Sequence, residues 1–341
     1  MKIRVLGILL SFFILHHAFG QNKDPAPFFT SKPKSRVSID SVYSYRFSAS
    51  DSLAREVRFP VQNIPGWLTW SSSENKISGK PSKPGQYPVH IQATNGTSTA
   101  DQHFMITVFN KRTINILTLG NSITNGTEVY NSYRRALWKK LHEANYNFDM
   151  IGSWDKHHWG GEVPDPDFDM DHEGHSGWTA GHMFTPPDWD IKSHGNIKEW
   201  LKEYSPDIVL VELGTNDVFQ CRTADEVIKD FSELVSVLRA KNSRVKIFIA
   251  SVLPLGQKWS VQNLCNSAPY GELINTLNKK IAVFVPGVTT KQSPVVLVDQ
   301  FTGIDPVHHM YDDIHPNAEG ERIVAERWFK AIRSNLAKIG N

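Results

Sequence analysis

Three residues of this sequence have the types and spacing of a nucleophilic triad. Ser122 stands almost directly behind the apolar segment 114–120, and Asp312 precedes His315 by three residues near the C-terminus. A serine hydroxyl is a poor nucleophile unless a histidine removes its proton and a carboxylate orients that histidine. Taken singly, the serine would be a helix cap or turn residue and the histidine a surface or capping residue. Taken together, the three side chains predict acyl transfer through a covalent acyl-enzyme, and the adjacent Asp313 is expected to point elsewhere.

Two further positions carry groups that could stabilise a developing oxyanion. Asn216, in the motif ELGTNDV, follows another apolar segment, where it could aim a side-chain N–H at the oxyanion or merely cap a turn. Gly174, in the motif HEGHSGWT, has no Cβ, so its backbone N–H could closely approach a substrate oxygen.

The elements that must position these residues follow from the hydrophobic pattern. From Thr113 onward, helical stretches separate short and nearly continuous apolar runs, which are typical of parallel strands buried on both faces. The runs are INILTLG, FDMIG, DIVLVELG, VKIFIAS and VVLVD. This alternation predicts an α/β domain over residues 111–341, with helices on both faces of a parallel sheet. Ligands of such sheets bind beyond the carboxyl ends of the strands, where the candidate motifs are expected.

The order of the motifs (serine, glycine, asparagine, then Asp-x-x-His) resembles the block pattern of the SGNH (GDSL-type) hydrolase superfamily over residues 113–335. The resemblance implies a three-layer α/β/α fold of the flavodoxin-like kind. It also implies that Ser122 is the nucleophile, that His315 is the general base and acid, and that Asp312 orients His315.

The same resemblance implies an oxyanion hole. Its donors would be the backbone N–H groups of Ser122 and Gly174 and the side chain of Asn216. One position departs from the family pattern, because Asn121 stands where the family usually has an aspartate. We expect this asparagine to accept local hydrogen bonds and to shape the turn.

Within the superfamily, the motifs HEGHSGWT, LGTNDV and DDIHPNAEG are most similar to secreted carbohydrate esterases of the acetylxylan-esterase type. This resemblance implies removal of acetyl groups from an acetylated polysaccharide or oligosaccharide, without a cofactor. Trp178, Trp154 and Trp159 lie in predicted loops, where their rings could stack on sugars or simply pack the loops. His175 could contact substrate or shape its loop. Two alternatives stay open: an esterase for lipid, aryl or peptidoglycan O-acyl groups, and a carbohydrate-binding protein on a degenerate hydrolase scaffold.

The N-terminal third has a different composition. Residues 1–20 combine a positive start, an apolar stretch and a small-x-small end, which predicts a secretory signal peptide and a secreted or periplasmic protein. Without a cysteine near the cleavage point or a later membrane-length apolar stretch, no membrane anchor is expected. Residues 21–35 are predicted to be a linker. Residues 36–110 have alternating runs and frequent turn signals, which predict an all-β sandwich. The segment 64–96 resembles the immunoglobulin-like modules of bacterial secreted enzymes, which implies a spacer or a glycan-binding module.

Charge, cysteines and possible metal ligands narrow the function further. The net charge is +2 without a basic stripe, so no nucleic-acid partner is expected. Cys221 and Cys265 lie in predicted loops of an exported chain, which favours one disulfide over two free thiols. The alternating aspartates of residues 165–171 lack the glycine and glutamate of a helix–loop–helix calcium site, and the histidine pairs lack a zinc motif. No metal is therefore predicted.

Overall fold

The computed structural model describes residues 25–39, 41–110, 113–157, 160–190, 195–265 and 267–336. The predicted signal peptide, residues 1–20, lies outside these described residues. Up to residue 109 the described chain contains strands alone, and from residue 114 onward strands alternate with helices. Within the described ranges, no helix combines the length and the apolar character needed to cross a membrane.

The secondary-structure elements are numbered here along the chain. The strands of the N-terminal domain are β1 (Phe28–Phe29), β2 (Arg36–Ser38), β3 (Tyr43–Arg46), β4 (Ala49–Ser50), β5 (Val61–Asn63), β6 (Thr69–Ser71), β7 (Lys76–Gly79), β8 (Gly85–Thr94) and β9 (Thr99–Phe109). The strands of the second domain are β10 (Ile114–Gly120), β11 (Phe148–Ile151), β12 (Glu173–Gly174), β13 (Ile208–Glu212), β14 (Lys246–Ala250) and β15 (Val295–Val298). The helices are α1 (Ser122–Asn125), α2 (Ser132–Glu143), α3 (Ile197–Glu203), α4 (Thr215–Phe219), α5 (Ala224–Lys241), α6 (Gln257–Ser260), α7 (Tyr270–Val288), α8 (Pro306–His309) and α9 (Ala318–Leu336), with a 3₁₀ turn at Gly181–Met183.

The N-terminal domain is a sandwich of small sheets. One sheet has the strand order β2-β9-β8-β5, a second has the order β3-β7-β6, and β1 pairs with β4. β8 and β9 form a long antiparallel hairpin, and alternate residues such as Val89, Ile91 and Ile106 are buried in the core between the sheets. β2 runs parallel to β9, so the sandwich is not purely antiparallel.

The prediction that residues 21–35 form a loose linker is wrong for the part that the structure describes. Residues 28–29 form β1, and the Ser31 hydroxyl forms a hydrogen bond of 2.7 Å with the Tyr45 hydroxyl. The ring of Phe29 packs near that of Phe59, with 6.1 Å between the ring centroids. The apolar surface buried by Phe29 and the strand pairing offset the entropy lost on ordering a segment rich in proline and lysine.

The second domain is a parallel sheet with helices on both faces, which confirms the predicted fold class. The strand order is β11-β10-β13-β14-β15, and β12 pairs with the end of β10. Ile208 and Leu210 of β13 face a core shared with α1, α2 and α9, whereas Val209 and Val211 face a core shared with α3, α4, α5 and α7. The strands read as continuous apolar runs because both of their faces are buried.

Polar side chains join the sandwich to the second domain at the edge formed by β11. Arg36 of β2 forms an ion pair with Asp149 of β11, and the Ser35 hydroxyl donates to the Asp171 carboxylate at 2.7 Å. Both aspartates are buried. Burial raises the pKa of Asp171 to about 8, and it raises the pKa of Asp149 to about 6 although the Arg36 guanidinium opposes the shift.

A disulfide links the region after α4 to the loop before α7. It joins Cys221 to Cys265, with 5.3 Å between the two Cα atoms and a sequence separation of 44. Closing a loop of that length in the unfolded chain corresponds to about 4 kcal/mol of stability in the chain-entropy model. The linkage restrains the end of the helix that carries Asn216.

Candidate active site

Ser122 lies at the turn from β10 into α1, at the point where the strand order of the sheet reverses. The sheet continues from β10 to β11 on one side and to β13 on the other, and such switch points are where open α/β sheets bind ligands. β10 ends at Gly120 and α1 begins at Ser122. Glycine is required at position 120, because a Cβ there would lie 2.7 Å from the Glu212 carbonyl oxygen. The close packing of helix on sheet therefore brings the serine to the end of the strand.

Hydrogen bonds hold the short helix α1 at both ends. At its start, the side-chain oxygen of Asn121 accepts from the Ile123 N–H at 2.9 Å, which is the local hydrogen bond expected of this residue. At its end, the buried guanidinium of Arg134 donates to the carbonyls of Thr124 at 2.7 Å and Asn125 at 2.9 Å. A helix of four residues is not stable alone. These bonds therefore fix the direction in which the serine points.

A continuous chain of hydrogen bonds connects the serine, the histidine and the aspartate. The His315 Nε2 lies 2.8 Å from the Ser122 hydroxyl, and the His315 Nδ1 lies 2.7 Å from Asp312 Oδ2. The other carboxylate oxygen of Asp312 accepts the backbone N–H groups of Ile314 and His315 at 3.1 and 2.8 Å. Burial raises the pKa of Asp312, but the hydrogen bonds from His315 outweigh burial and hold that pKa at about 2. The ionised carboxylate keeps a proton on Nδ1, which leaves Nε2 free to accept one from the serine.

Asn216 lies in the first turn of α4, directly after β13. Its side-chain nitrogen donates to the Trp178 carbonyl at 2.9 Å, which leaves a second N–H of the amide. The neighbouring Asp217, which sequence analysis did not single out, is buried and accepts the Ala180 N–H at 3.1 Å and an N–H of Arg222 at 2.6 Å. The two side chains attach the loop after Trp178 to α4, so helix and loop form one wall of the site.

Gly174 does not have the predicted role. Its backbone N–H donates to the His172 Nδ1 at 2.8 Å, and the residue is buried beside Gly120 in β12. A Cβ at position 174 would lie 2.6 Å from the Asn125 backbone nitrogen. The glycine is therefore required by packing against α1, and the prediction that Gly174 donates to the oxyanion is wrong because its N–H is already used.

A second glycine of the same motif has the properties that the role requires. Gly177 is partly exposed, and its backbone N–H has no acceptor within the described part of the chain. Its φ of +80° is a conformation that favours glycine. It lies between Ser176, whose hydroxyl accepts from Asn125 Nδ2 at 3.3 Å, and Trp178, which is hydrogen-bonded to Asn216. The sequence does not indicate this role, because the neighbouring residues in the motif HEGHSGWT do not show which of its two glycines donates to a ligand.

The two predicted substrate-binding residues are buried. His175 is 2% exposed and Trp178 is 0% exposed, and their rings stack with 4.3 Å between centroids. The His175 Nε2 pairs with the buried Glu173 at 2.9 Å, and the Trp178 indole N–H donates to Asp190 at 2.9 Å. The prediction that His175 and Trp178 contact substrate is therefore wrong. Both residues pack beneath the loop and shape it.

The other tryptophans and the alternating aspartates considered in the sequence make structural contacts where the structure describes them. The backbone of Trp154 forms a bridge with His172, and Trp159 lies outside the described residues. In the acidic stretch, Asp165 and Asp167 pair with Arg135 at 3.3 and 2.6 Å, and the next two aspartates are buried at the domain junction. Across the ranges that the structure describes, no group of three or more His, Cys, Asp or Glu side chains could hold a metal ion.

A buried carboxyl group lies beneath the nucleophile. Glu212, the β-sheet partner of Gly120, is 0% exposed, and neither of its carboxyl oxygens has a hydrogen-bond partner among the described residues. Burial raises its pKa to about 8. At neutral pH the group is therefore protonated, and the floor of the site carries no negative charge there.

The order and spacing of these residues agree with a known family. The family model of the GDSL-like Lipase/Acylhydrolase family matches residues 118–323, a range that includes Ser122, Asn216, Asp312 and His315. The chain belongs to this family. An Ig domain model matches residues 26–109, so the immunoglobulin-like unit includes most of the segment predicted to be a linker.

Relatives of the GDSL-like domain are esterases. A multidomain esterase of Ruminococcus flavefaciens is 30% identical over 236 residues, which are 66% of this chain and 29% of that protein. This chain thus spans less than a third of that relative. The crystal structure of an acetyl esterase mutant with an acetate ion has a TM-score of 0.54 and 28% identity, and the match covers 67% of this chain and 100% of that one. A family 3 carbohydrate esterase from Talaromyces cellulolyticus has a TM-score of 0.53 and 29% identity, with 66% and 99% covered.

The buried Glu212 predicts a pH dependence of stability. Its pKa is raised on folding, so between about pH 4.5, where an unfolded glutamate titrates, and about pH 8 the folded state holds one proton more than the unfolded state. The contribution of Glu212 to stability is therefore lost as the pH rises through this window. The difference in melting temperature between Glu212→Gln and wild type should therefore move in favour of the variant as the pH is raised from 6 to 8.5.

The matched control for this measurement is Glu203→Gln on the exposed end of α3. It should shift the melting temperature equally at both pH values. A Glu212→Gln variant with the same shift at pH 6 and pH 8.5 would contradict a protonated Glu212.

Proposed function

We propose that this protein is a secreted serine esterase that removes O-acetyl groups from carbohydrate. The observation that carries the proposal is the unbroken hydrogen-bond chain from Asp312 through His315 to Ser122, with links of 2.7 and 2.8 Å. It supports an activated serine at the edge of the sheet where ligands bind.

In the proposed reaction the Ser122 oxygen attacks the acetyl carbonyl carbon while His315 Nε2 takes the hydroxyl proton. The tetrahedral intermediate collapses as the bond to the sugar oxygen breaks, and His315 returns its proton to that oxygen. Water then attacks the acetyl-enzyme by the same route, with His315 again as the base, and acetate leaves. Asp312 stays ionised throughout and stabilises the imidazolium.

We propose that the oxyanion is held by three N–H groups. The Ser122 N–H lies in the first turn of α1, where a helix has no internal acceptors. Asn216 contributes the amide N–H that is not bonded to Trp178. Gly177 replaces Gly174 as the third donor, because its N–H is unpaired within the described chain, and because its neighbours bond to Asn125 of α1 and to Asn216 of α4.

The acetylated-carbohydrate substrate is supported by the sequence motifs and by the relatives. One relative of known structure is named an acetyl esterase and carries an acetate ion, and another is a family 3 carbohydrate esterase. Two of the motifs that resemble carbohydrate esterases, HEGHSGWT and LGTNDV, form the wall made by α4 and its attached loop. The shape of that wall therefore comes from the motifs that carry the resemblance.

Secretion is part of the same proposal. The first twenty residues have the pattern of a signal peptide, and a disulfide between Cys221 and Cys265 suits an oxidising compartment. Cleavage after Gly20 would leave Gln21 as the first residue of the exported protein. N-terminal sequencing of the protein recovered outside the cytoplasm tests this, and an intact Met1 on that material would contradict cleavage.

Ser122→Ala should lower the release of acetate from acetylated xylan, and the turnover of p-nitrophenyl acetate, by about 10³-fold or more, because the nucleophile is lost. Ser236→Ala, an exposed serine on α5, is the matched control and should behave as wild type. Equal release by wild type and Ser122→Ala would rule out the assigned nucleophile. If the wild type turns over p-nitrophenyl acetate but releases no acetate from xylan, the protein is still an esterase, and its substrate belongs to another class of acyl ester.

A structure of the adduct that Ser122 forms with a fluorophosphonate tests the proposed oxyanion donors. The phosphoryl oxygen should lie within hydrogen-bond distance of the Ser122 and Gly177 N–H groups and the Asn216 side chain. An adduct in which Gly177 is remote from that oxygen would reject the reassignment, and absence of labelling would favour a carbohydrate-binding protein.

Asp312→Asn should lower kcat by about 10²- to 10⁴-fold, because a neutral amide no longer holds the proton on His315 Nδ1 or stabilises the imidazolium. Asp313→Asn is the matched control. Asp313 has a φ of +69°, which asparagine tolerates, and its carboxylate lies beside Gly256 rather than His315. Steady-state kinetics with p-nitrophenyl acetate compares the two variants, and equal losses in both would argue against the orienting role of Asp312.

A further inference from the structure

Two exposed aromatic rings lie close to residues assigned to the site, Trp189 near Gly177 and Tyr311 near the segment of His315. Trp189 is 54% exposed and Tyr311 is 62% exposed, although large aromatic side chains are usually covered. Trp189 precedes Asp190, which binds the buried Trp178, and the Tyr311 N–H donates to the His315 carbonyl. Rings in such places are available to a ligand that lies across the serine.

Trp189 stands on the side of the site that holds Gly177. Its ring covers this glycine so closely that a Cβ at position 177 would lie 3.0 Å from the ring edge. A turn closed by the hydrogen bond from the Asp190 N–H to the Pro187 carbonyl, at 2.9 Å, carries the tryptophan. The buried indole of Trp178 holds the side chain of Asp190 at 2.9 Å. The buried tryptophan therefore positions the exposed one.

Tyr311 stands on the side of the site that holds His315. Its backbone N–H donates to the His315 carbonyl at 2.7 Å. Its ring lies 6.5 Å from that of Tyr130, and the Tyr130 ring stacks on the His315 imidazole at 5.6 Å. The three rings therefore lead from the general base outward to solvent.

We propose that Trp189 and Tyr311 are the two walls of a sugar-binding cleft that crosses Ser122. This inference rests on the proposed function and names how its substrate is held. The leaving sugar oxygen must lie within reach of His315 Nε2 to receive its proton, so the acetylated pyranose lies on the Tyr311 side. Trp189 then takes a neighbouring pyranose of the same chain, across the oxyanion side.

The chemistry of the rims favours a sugar over a lipid chain. The exposed Asp188 precedes Trp189 directly, and the exposed Glu128 lies two residues before Tyr130, whose ring neighbours that of Tyr311. A pyranose ring offers an apolar C–H face to an aromatic ring while its hydroxyl groups stay hydrated or bind such carboxylates. An acyl chain would instead need a continuous apolar groove.

The cleft predicts different effects for the two walls. Trp189→Ala should raise KM for an acetylated xylo-oligosaccharide about tenfold, because one stacking contact is lost. KM for p-nitrophenyl acetate and for an acetylated xylose should change little, and so should kcat. Tyr311→Ala should raise KM for both sugar esters relative to the aryl ester. Tyr311→Phe, which keeps the ring, should restore the wild-type values.

Phe28→Ala is the matched control, because Phe28 is an aromatic residue of the sandwich and is 53% exposed, close to the 54% of Trp189. It should leave all three substrates unaffected. Equal losses on the aryl and sugar esters, an unchanged oligosaccharide KM in Trp189→Ala, or an equal loss in Phe28→Ala would each overturn the cleft. Wild-type protein that turns over the aryl ester but no sugar ester would overturn the proposed substrate together with the cleft. Sugar-ester turnover with an unchanged KM in the variants would overturn the cleft alone.

Discussion

The site depends on the close packing of a four-residue helix against the end of a buried strand. Gly120 permits that contact, and the buried Arg134 satisfies the carbonyls at the other end of the helix. Every other functional group is placed relative to this turn. Ser122 points into the crevice because the helix cannot rotate without breaking the Arg134 bonds or meeting the Glu212 carbonyl. Burial of Glu212, the sheet partner of Gly120, raises its pKa to about 8, so this carboxyl group is mostly uncharged beneath the turn at neutral pH.

The wall that faces the serine is built from buried polar groups. Glu173 accepts the Ser153 N–H at 2.6 Å and pairs with His175, while Trp178 stacks on His175 and binds Asp190. These contacts fix a loop that has few regular backbone hydrogen bonds of its own. His175 and Trp178 therefore make the loop rigid. The groups that can face a ligand are backbone N–H groups and the exposed ring of Trp189. Preorganised donors of this kind need no rearrangement as charge develops.

Much of this architecture could be predicted from sequence because it is set by local pattern. The apolar runs coincide with β10, β11, β13, β14 and β15, and a capping box of Thr223 and Glu226 starts α5. The serine, the asparagine and the Asp-x-x-His motif lie at strand ends or in loops that follow, which their order implied. The direction of side chains in irregular segments could not be predicted from the sequence. Trp178 and Trp189 both lie in loops, and only the three-dimensional packing decides that the first is 0% exposed and the second 54%. The choice between two glycines likewise depends on which N–H a histidine happens to accept.

The junction between the domains extends this reasoning to the sandwich. The Asp169 carboxylate accepts the Thr107 hydroxyl of β9 at 3.2 Å and also the Met150 N–H at 3.2 Å, so one buried group binds both domains. The chain runs from these aspartates directly into the motif that forms the oxyanion wall. Because unpaired buried carboxyl groups are costly, removing the sandwich would expose or orphan them and loosen the start of that motif. These contacts indicate that the sandwich supports the catalytic loop. The sandwich also covers the edge strand β11, so it is not an independently moving module.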